Sequence, residues 1–199
     1  MTSREPSNDV KTMLTWRGAD AERIEQVRMN ISDARIRAYG RIVSAATDEH
    51  EAYSVSYELV TNDGGVTRRL SARMLRASGE TQLDISRDMD GRWMVQTPDS
   101  VVHSDFGGAD TVDLWHSPFL KSVVIRRFGL LGGQSMVDIP VVELSLPGCS
   151  VDVIEKSYTF DGLGTAAGAA TLTSARGTWD LRVDEAGLVT TFTGIAERI

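Results

Sequence analysis

The sequence predicts a mostly β fold, a long antiparallel meander of hairpins curling around a single α-helix. Three observations carry that expectation. Apolar and polar residues alternate with period two along much of the chain. The alternating runs are separated by short groups rich in Gly, Asn and Asp, which tolerate the positive φ that tight hairpins need. One segment, 117–129, breaks the alternation with apolar residues at helical spacing.

Taken in order, residues 1–10 are polar and are expected to fray, leaving 11–199 as one domain. Asp20–Arg28 fits either a turn of helix or a twisted strand, since Ile24, Val27 and Met29 suit both. Tyr53, Val55, Tyr57 and Leu59 alternate with Ser54, Ser56 and Glu58, and Asn62-Asp63-Gly64-Gly65 supplies the following turn. Leu70, Ala72, Met74, Leu83 and Ile85 continue the pattern across Ser78-Gly79-Glu80. Met89-Asp90-Gly91-Arg92 turns the chain into Trp93-Met94-Val95. In 117–129, Ser117 reads as an N-cap, Pro118 as the first helical residue and Gly129 as the stop. Phe119, Leu120, Val123, Val124 and Phe128 would form one broad apolar face there. Near the C-terminus Trp179, Leu181 and Val183 alternate with charged residues, and Glu185-Ala186-Gly187 leads into Leu188–Phe192.

Composition works mainly by exclusion. The net charge of −7 removes the electrostatic footprint expected of a chain that wraps nucleic acid. A single cysteine, Cys149, excludes an internal disulfide framework, and its place after Pro147-Gly148 reads as a partly buried turn residue. No run of about 18 apolar residues offers a membrane span. The first residues lack a signal-peptide pattern, which points to a cytoplasmic monomer or small oligomer. Basic residues are 18 Arg against 3 Lys.

Chemical motifs are sparse. Asp110–Ser117 concentrates acid, imidazole and hydroxyl, but a nucleophile elbow is absent and Ser117 is better used as a cap. His50, His103 and His116 show no metal-binding spacing, and a metal set would have to assemble from distant strands, for instance His103, Asp105, Asp113 and His116. The glycine-rich stretches 129–133 and 161–168 miss the dinucleotide and phosphate-loop patterns and read as loops or closely packed strands. No catalytic residue, metal or cofactor is assigned from these signals. Arg126-Arg127, at the end of the expected helix, suits either the helix dipole or the grip of a polar head group.

The order of these elements resembles a bacterial family named for glycolipid binding and long carried as a domain of unknown function. The likeness rests on Trp16 and Glu22, Tyr53–Tyr57, Gly91-Arg92-Trp93, Val112-Asp113-Leu114-x-x-Ser117-Pro118, Ile125–Leu130 and Leu181–Val189. It covers about residues 13–199 and implies a spiral β-roll, a strongly curved antiparallel sheet around one central helix. Thr111 stands where the family has the first acid of Asp-Val-Asp-Leu, and Val123 and Val124 stand where it has x-Pro, so a more continuous helix is expected.

From the apolar helix inside a β meander and this resemblance, the expected function is non-catalytic binding of a lipid or glycolipid between sheet and helix. Trp115, Phe119, Val123 and Phe128 would line the space, Tyr57 and Trp93 would face it from the sheet, and Asp113, Arg126 and Arg127 would contact the head group. Two rival readings remain: a hydrolase or isomerase using Asp113 and His116, and a fully packed interaction domain without a ligand.

Overall fold

A computed structural model describes residues 10–130, 135–161 and 168–199. The strands of the first half are β1 (Val10–Gly18), β2 (Arg23–Ser32), β3 (Arg35–Ser44), β4 (Tyr53–Thr61), β5 (Thr67–Arg76), β6 (Gly79–Arg87), β7 (Trp93–Gln96) and β8 (Val101–Ser104). A 3-10 turn at Phe106–Gly108, β9 (Val112–Leu114) and the helix α1 (Pro118–Arg127) follow. The second half contains β10 (Met136–Ser145), β11 (Ser150–Asp161), β12 (Gly168–Ser174), β13 (Gly177–Val183), β14 (Val189–Phe192) and β15 (Ala196–Arg198). The glycine-rich stretches fall partly outside the described residues, at 131–134 and 162–167.

All strands share one sheet, ordered β8-β7-β6-β5-β4-β3-β2-β1-β15-β14-β13-β12-β11-β10-β9. Two meanders thus join where the first and last strands pair, Trp16 opposite Arg198. The expected antiparallel meander holds except at one edge, where β9 pairs parallel with β10. The chain leaves the sheet at one edge, β8, and returns at the other, β9; β9 then connects to β10 through the helix α1, and that crossover is the topological reason for the parallel pair.

Curvature is recorded in bonds between remote strands. The Thr67 amide donates to the Asp110 carbonyl at 2.9 Å, and the Val112 amide donates to the Thr67 hydroxyl at 3.3 Å. The lead into β9 therefore lies against β5, far from it in sheet order.

Of Asp20–Arg28, Asp20–Glu22 form a bend and Arg23–Arg28 the start of β2, whose inward positions are Arg23, Glu25, Val27, Met29 and Ile31. Two charged residues occupy inward places, which is why the alternation looked ambiguous in the sequence. Glu25 is reached from two strands away. Tyr57 on β4 donates its hydroxyl to Glu25 Oε1 at 2.6 Å, its ring crossing β3 at Gly40. A Cβ at Gly40 would sit 2.0 Å from that ring, so glycine is required at the crossing.

The helix begins as expected: Ser117 Oγ accepts from the Leu120 amide at 3.1 Å and Pro118 occupies the first turn. It runs unbroken to Arg127, and Gly129 turns away with φ +63. The expected single apolar face is broader than the spacing implies. Every residue from Pro118 to Ile125 is buried, including Lys121 and Ser122, because the curled sheet surrounds the helix. Ser122 donates back to the Pro118 carbonyl at 3.1 Å and accepts from the Val189 amide at 2.8 Å, so its hydroxyl is satisfied on the far side.

Candidate functional site

Three polar groups surround the helix, and each joins residues that are distant in sequence. At its N-terminus, Glu25 Oε1 accepts from both Tyr57 and Ser117, each at 2.6 Å. A carboxylate at the positive end of a helix is electrostatically favoured. Burial nevertheless raises the Glu25 pKa, with the bonds from Ser117 and Tyr57 opposing. Tyr57, expected to face a ligand, is thus used in locating the helix on the sheet.

At the C-terminal end, Arg126 donates to the carbonyls of Ala186 and Asp33, the latter at 2.6 Å, tying the helix to two hairpin turns. Arg127 donates to Asp110 Oδ2 through Nε at 3.0 Å and a terminal nitrogen at 2.7 Å, and its guanidinium lies 5.2 Å from the Phe128 ring. Trp93 belongs to the same neighbourhood: its Nε1 donates to the Ala109 carbonyl at 2.9 Å, and Arg87 covers its ring. Phe119 and Val123 pack in the apolar core, with 0% and 1% of their surface exposed. Their surfaces are covered by neighbouring core side chains, so sheet and helix are in direct contact at these positions.

The third group is a buried charge cluster. Lys121 donates to Asp113 Oδ2 at 2.7 Å, to the Trp115 carbonyl at 2.6 Å and to the Leu114 carbonyl at 3.1 Å. Lys156 from β11 donates to the same Asp113 oxygen and to Glu143 at 2.6 Å. Arg176 closes the row, donating to the other Glu143 oxygen at 3.0 Å through Nε. Asp113, Lys121 and Lys156 are 0% exposed. Burial brings the Lys121 pKa down to about 8, with Asp113 opposing and Lys156 adding to the fall. Burial acts downward on Lys156 too, but Asp113 and Glu143 outweigh it and its pKa rises. Two buried polar atoms of the group, Asp113 Oδ1 and the Tyr158 hydroxyl, have no hydrogen-bond partner among the described residues.

Trp115 covers this cluster. Its ring lies 5.3 Å from Lys121 Nζ, 5.8 Å from Lys156 Nζ and 5.5 Å from the Arg176 guanidinium. Trp179 meets it edge-on at 4.7 Å between ring centres. Both indoles are half-buried, and Arg176 is exposed beside them. A partly exposed indole pair backed by fixed charges can stack a sugar ring and hydrogen-bond its hydroxyls.

The family model described as "Putative glycolipid-binding" matches residues 13–198. The chain belongs to the family so described. A DUF1089 family protein from Pseudomonas aeruginosa shares its fold, with a TM-score of 0.69 and 23% identity over 88% of this chain and 92% of that one. No curated protein matches the chain. Within this family member, Thr111, in place of the family's first acid, is buried, and its hydroxyl has no hydrogen-bond partner among the described residues.

The residues of the catalytic alternative have separate partners. Asp113 is engaged by two lysines, whereas His116 lies 3.8 Å from Asp20 and shares no hydrogen bond with Asp113. His103 and Asp105 line a surface cleft near Trp93, and among the described residues no three His, Cys, Asp or Glu converge as a metal site. No helix of the described residues is long and apolar enough to cross a membrane.

Burial, reinforced by Arg23, lowers the His116 pKa to about 4, with Asp20 opposing. The unfolded chain therefore takes up this proton first as pH falls. The stability that depends on neutral His116 is fully present above about pH 6.5 and is lost as pH falls toward 4. Nearly a third of the side chain is in water, so we expect a loss of about 2 kcal/mol rather than the full shift. Between pH 7 and 4 the wild-type Tm should fall about 4–8 °C further than that of His116→Gln. Equal falls would remove His116 from the account.

Glu25, Glu143, Lys121 and Lys156 were not among the expected site residues. Two of the three lysines meet at Asp113, in a chain that otherwise uses arginine. Glu143 lies in the buried run Val141–Leu144. An isolated charge in an apolar strand and the rare choice of lysine were the available signals.

Proposed function

We propose that the protein binds a glycolipid without catalysing a reaction on it, its sugar resting on Trp115 and Trp179. The observation that carries this reading is the partly exposed indole pair above the Asp113–Lys121–Lys156–Glu143–Arg176 row. Arg176 reaches the surface and can donate to a sugar hydroxyl or an anionic substituent, while the buried cluster fixes the Trp115 ring. Family membership supports a binding role of this kind. On the same reading the acyl chain runs between helix and sheet past Phe119, Val123 and Phe128. That path requires the helix to part from the sheet, since the contact is filled by side chains. Tyr57, Trp93, Arg126 and Arg127 then hold the elements that bound the path.

Monomeric octyl glucoside titrated into the protein should change its tryptophan fluorescence, and solvent extraction of freshly purified protein should release a lipid. Trp115→Ala should weaken octyl glucoside binding by about tenfold or more, the loss typical of an aromatic anchor. If no lipid is extracted and octyl glucoside binds neither form, the reading is wrong.

A further inference from the structure

The charge of −7 is not spread evenly over the sheet. On the face turned away from the helix, the outward positions of β1, β2 and β3 carry Lys11, Arg17, Arg28, Arg35, Arg37 and Arg41, and no carboxylate. Arg37 is partnered by Glu58 and Arg35 by Asp63. Among the described residues no carboxylate pairs with Lys11, Arg28 or Arg41, and the one bond made by Arg41 is to the Ser56 hydroxyl at 3.2 Å. Apolar side chains stand between these cations: Met13 is 56% exposed, Val43 51% and Ile24 47%, with Tyr39 beside them. The face is hollowed by two adjoining clefts of about 620 and 610 Å³, both lined by Met13, Arg28 and Tyr39.

We infer that this face docks on an anionic lipid surface. Guanidinium groups without carboxylate partners match lipid phosphates, and each basic residue near such a surface adds attraction that salt screens. Exposed aliphatic side chains among the cations favour a bilayer interface, where Met13, Ile24 and Val43 can enter the head-group region while Tyr39 sits at its boundary. A nucleic-acid strand would need a row of stacking aromatics, and among the outward positions of these three strands Tyr39 alone offers a ring. Pairing with a second copy would oppose cations to cations. This docking is independent of the sugar site at Trp115.

Vesicle flotation tests it directly. The protein should float with mixed phosphatidylglycerol–phosphatidylcholine vesicles at low salt, far less with phosphatidylcholine alone, and should be released as salt is raised. Arg28→Gln with Arg41→Gln should weaken binding about 25-fold, roughly fivefold for each cation removed, with an unchanged circular dichroism spectrum. Met13→Ser with Tyr39→Ser should weaken binding and leave its salt dependence intact, and Trp115→Ala should have no effect on it. The inference is overturned if anionic vesicles bind no better than neutral ones, or if the arginine substitutions change nothing. It is equally overturned if a short DNA duplex binds more tightly than the vesicles, or if the protein is a dimer that these substitutions dissociate.

Discussion

Asp113→Ala is expected to destabilise the protein by about 3–5 kcal/mol, the range for removing one member of a buried ion pair. Asp113 Oδ2 is the acceptor shared by Lys121 and Lys156, and all three side chains are fully buried. Without it, Lys121 retains two backbone carbonyls but no carboxylate, and Lys156 retains Glu143. The loss should also depend on pH with a definite sign. Lys121 has a native pKa of about 8, below its usual value, so the cost of burying its charge is present below pH 8 and disappears as pH rises from there toward 10.5. Removing Asp113 takes away the group that supports the charge, so the variant is relieved at lower pH than the wild type. The gap between the two, measured by urea denaturation, should therefore be narrower at pH 9 than at pH 7. A loss below about 1 kcal/mol at pH 7 would show that the lysines are neutral or hydrated, and the cluster would lose its place as the support of Trp115.

Phe119→Ala should cost a similar amount, about 3–5 kcal/mol, for a different reason. Phe119 sits in the first turn of the helix with no exposed surface, so truncation leaves a cavity that neighbouring strands cannot readily fill. For a chain of this length the Tm should drop by roughly 8–15 °C. The measurement also bears on the acyl path. A helix that parts easily from the sheet would make the truncation cheap, below about 2 kcal/mol. A full cavity penalty would mean that an acyl chain must displace tightly packed atoms, and would favour the packed interaction domain over a channel along the helix.

The strands of 53–95 and 179–192 were legible because alternation is a local property. Each of Tyr53, Val55, Tyr57 and Leu59 faces inward whatever strand lies beside it. The helix was legible for the same reason, since Ser117, Pro118 and Gly129 act on the backbone next to them. Lys121 shows where such reasoning stops. On a helical wheel it belongs to the polar side, yet the sheet curls far enough to cover that side as well. Glu25 likewise obscured the pattern of β2 because its partners, Tyr57 and Ser117, arrive from β4 and from the helix start.

The same division runs through the site. Asp113 and Trp115 stood out as a local concentration of polar and aromatic residues, and both lie in the charge cluster or directly over it. Arg126 and Arg127 stood out equally, but their turn carbonyls and Asp110 come from segments 17 to 93 residues away. The sequence by itself determined the strands and turns of 53–95 and 179–192, and that one capped helix interrupts the meander. The tertiary structure alone decided that the helix is enclosed on all sides, that Lys121, Lys156 and Glu143 converge on Asp113, and that the cations of β1, β2 and β3 share one outer face. Backbone propensity and solvent preference are set within a few residues, whereas charge pairing is set by strand register and sheet curvature, which no local stretch of sequence contains.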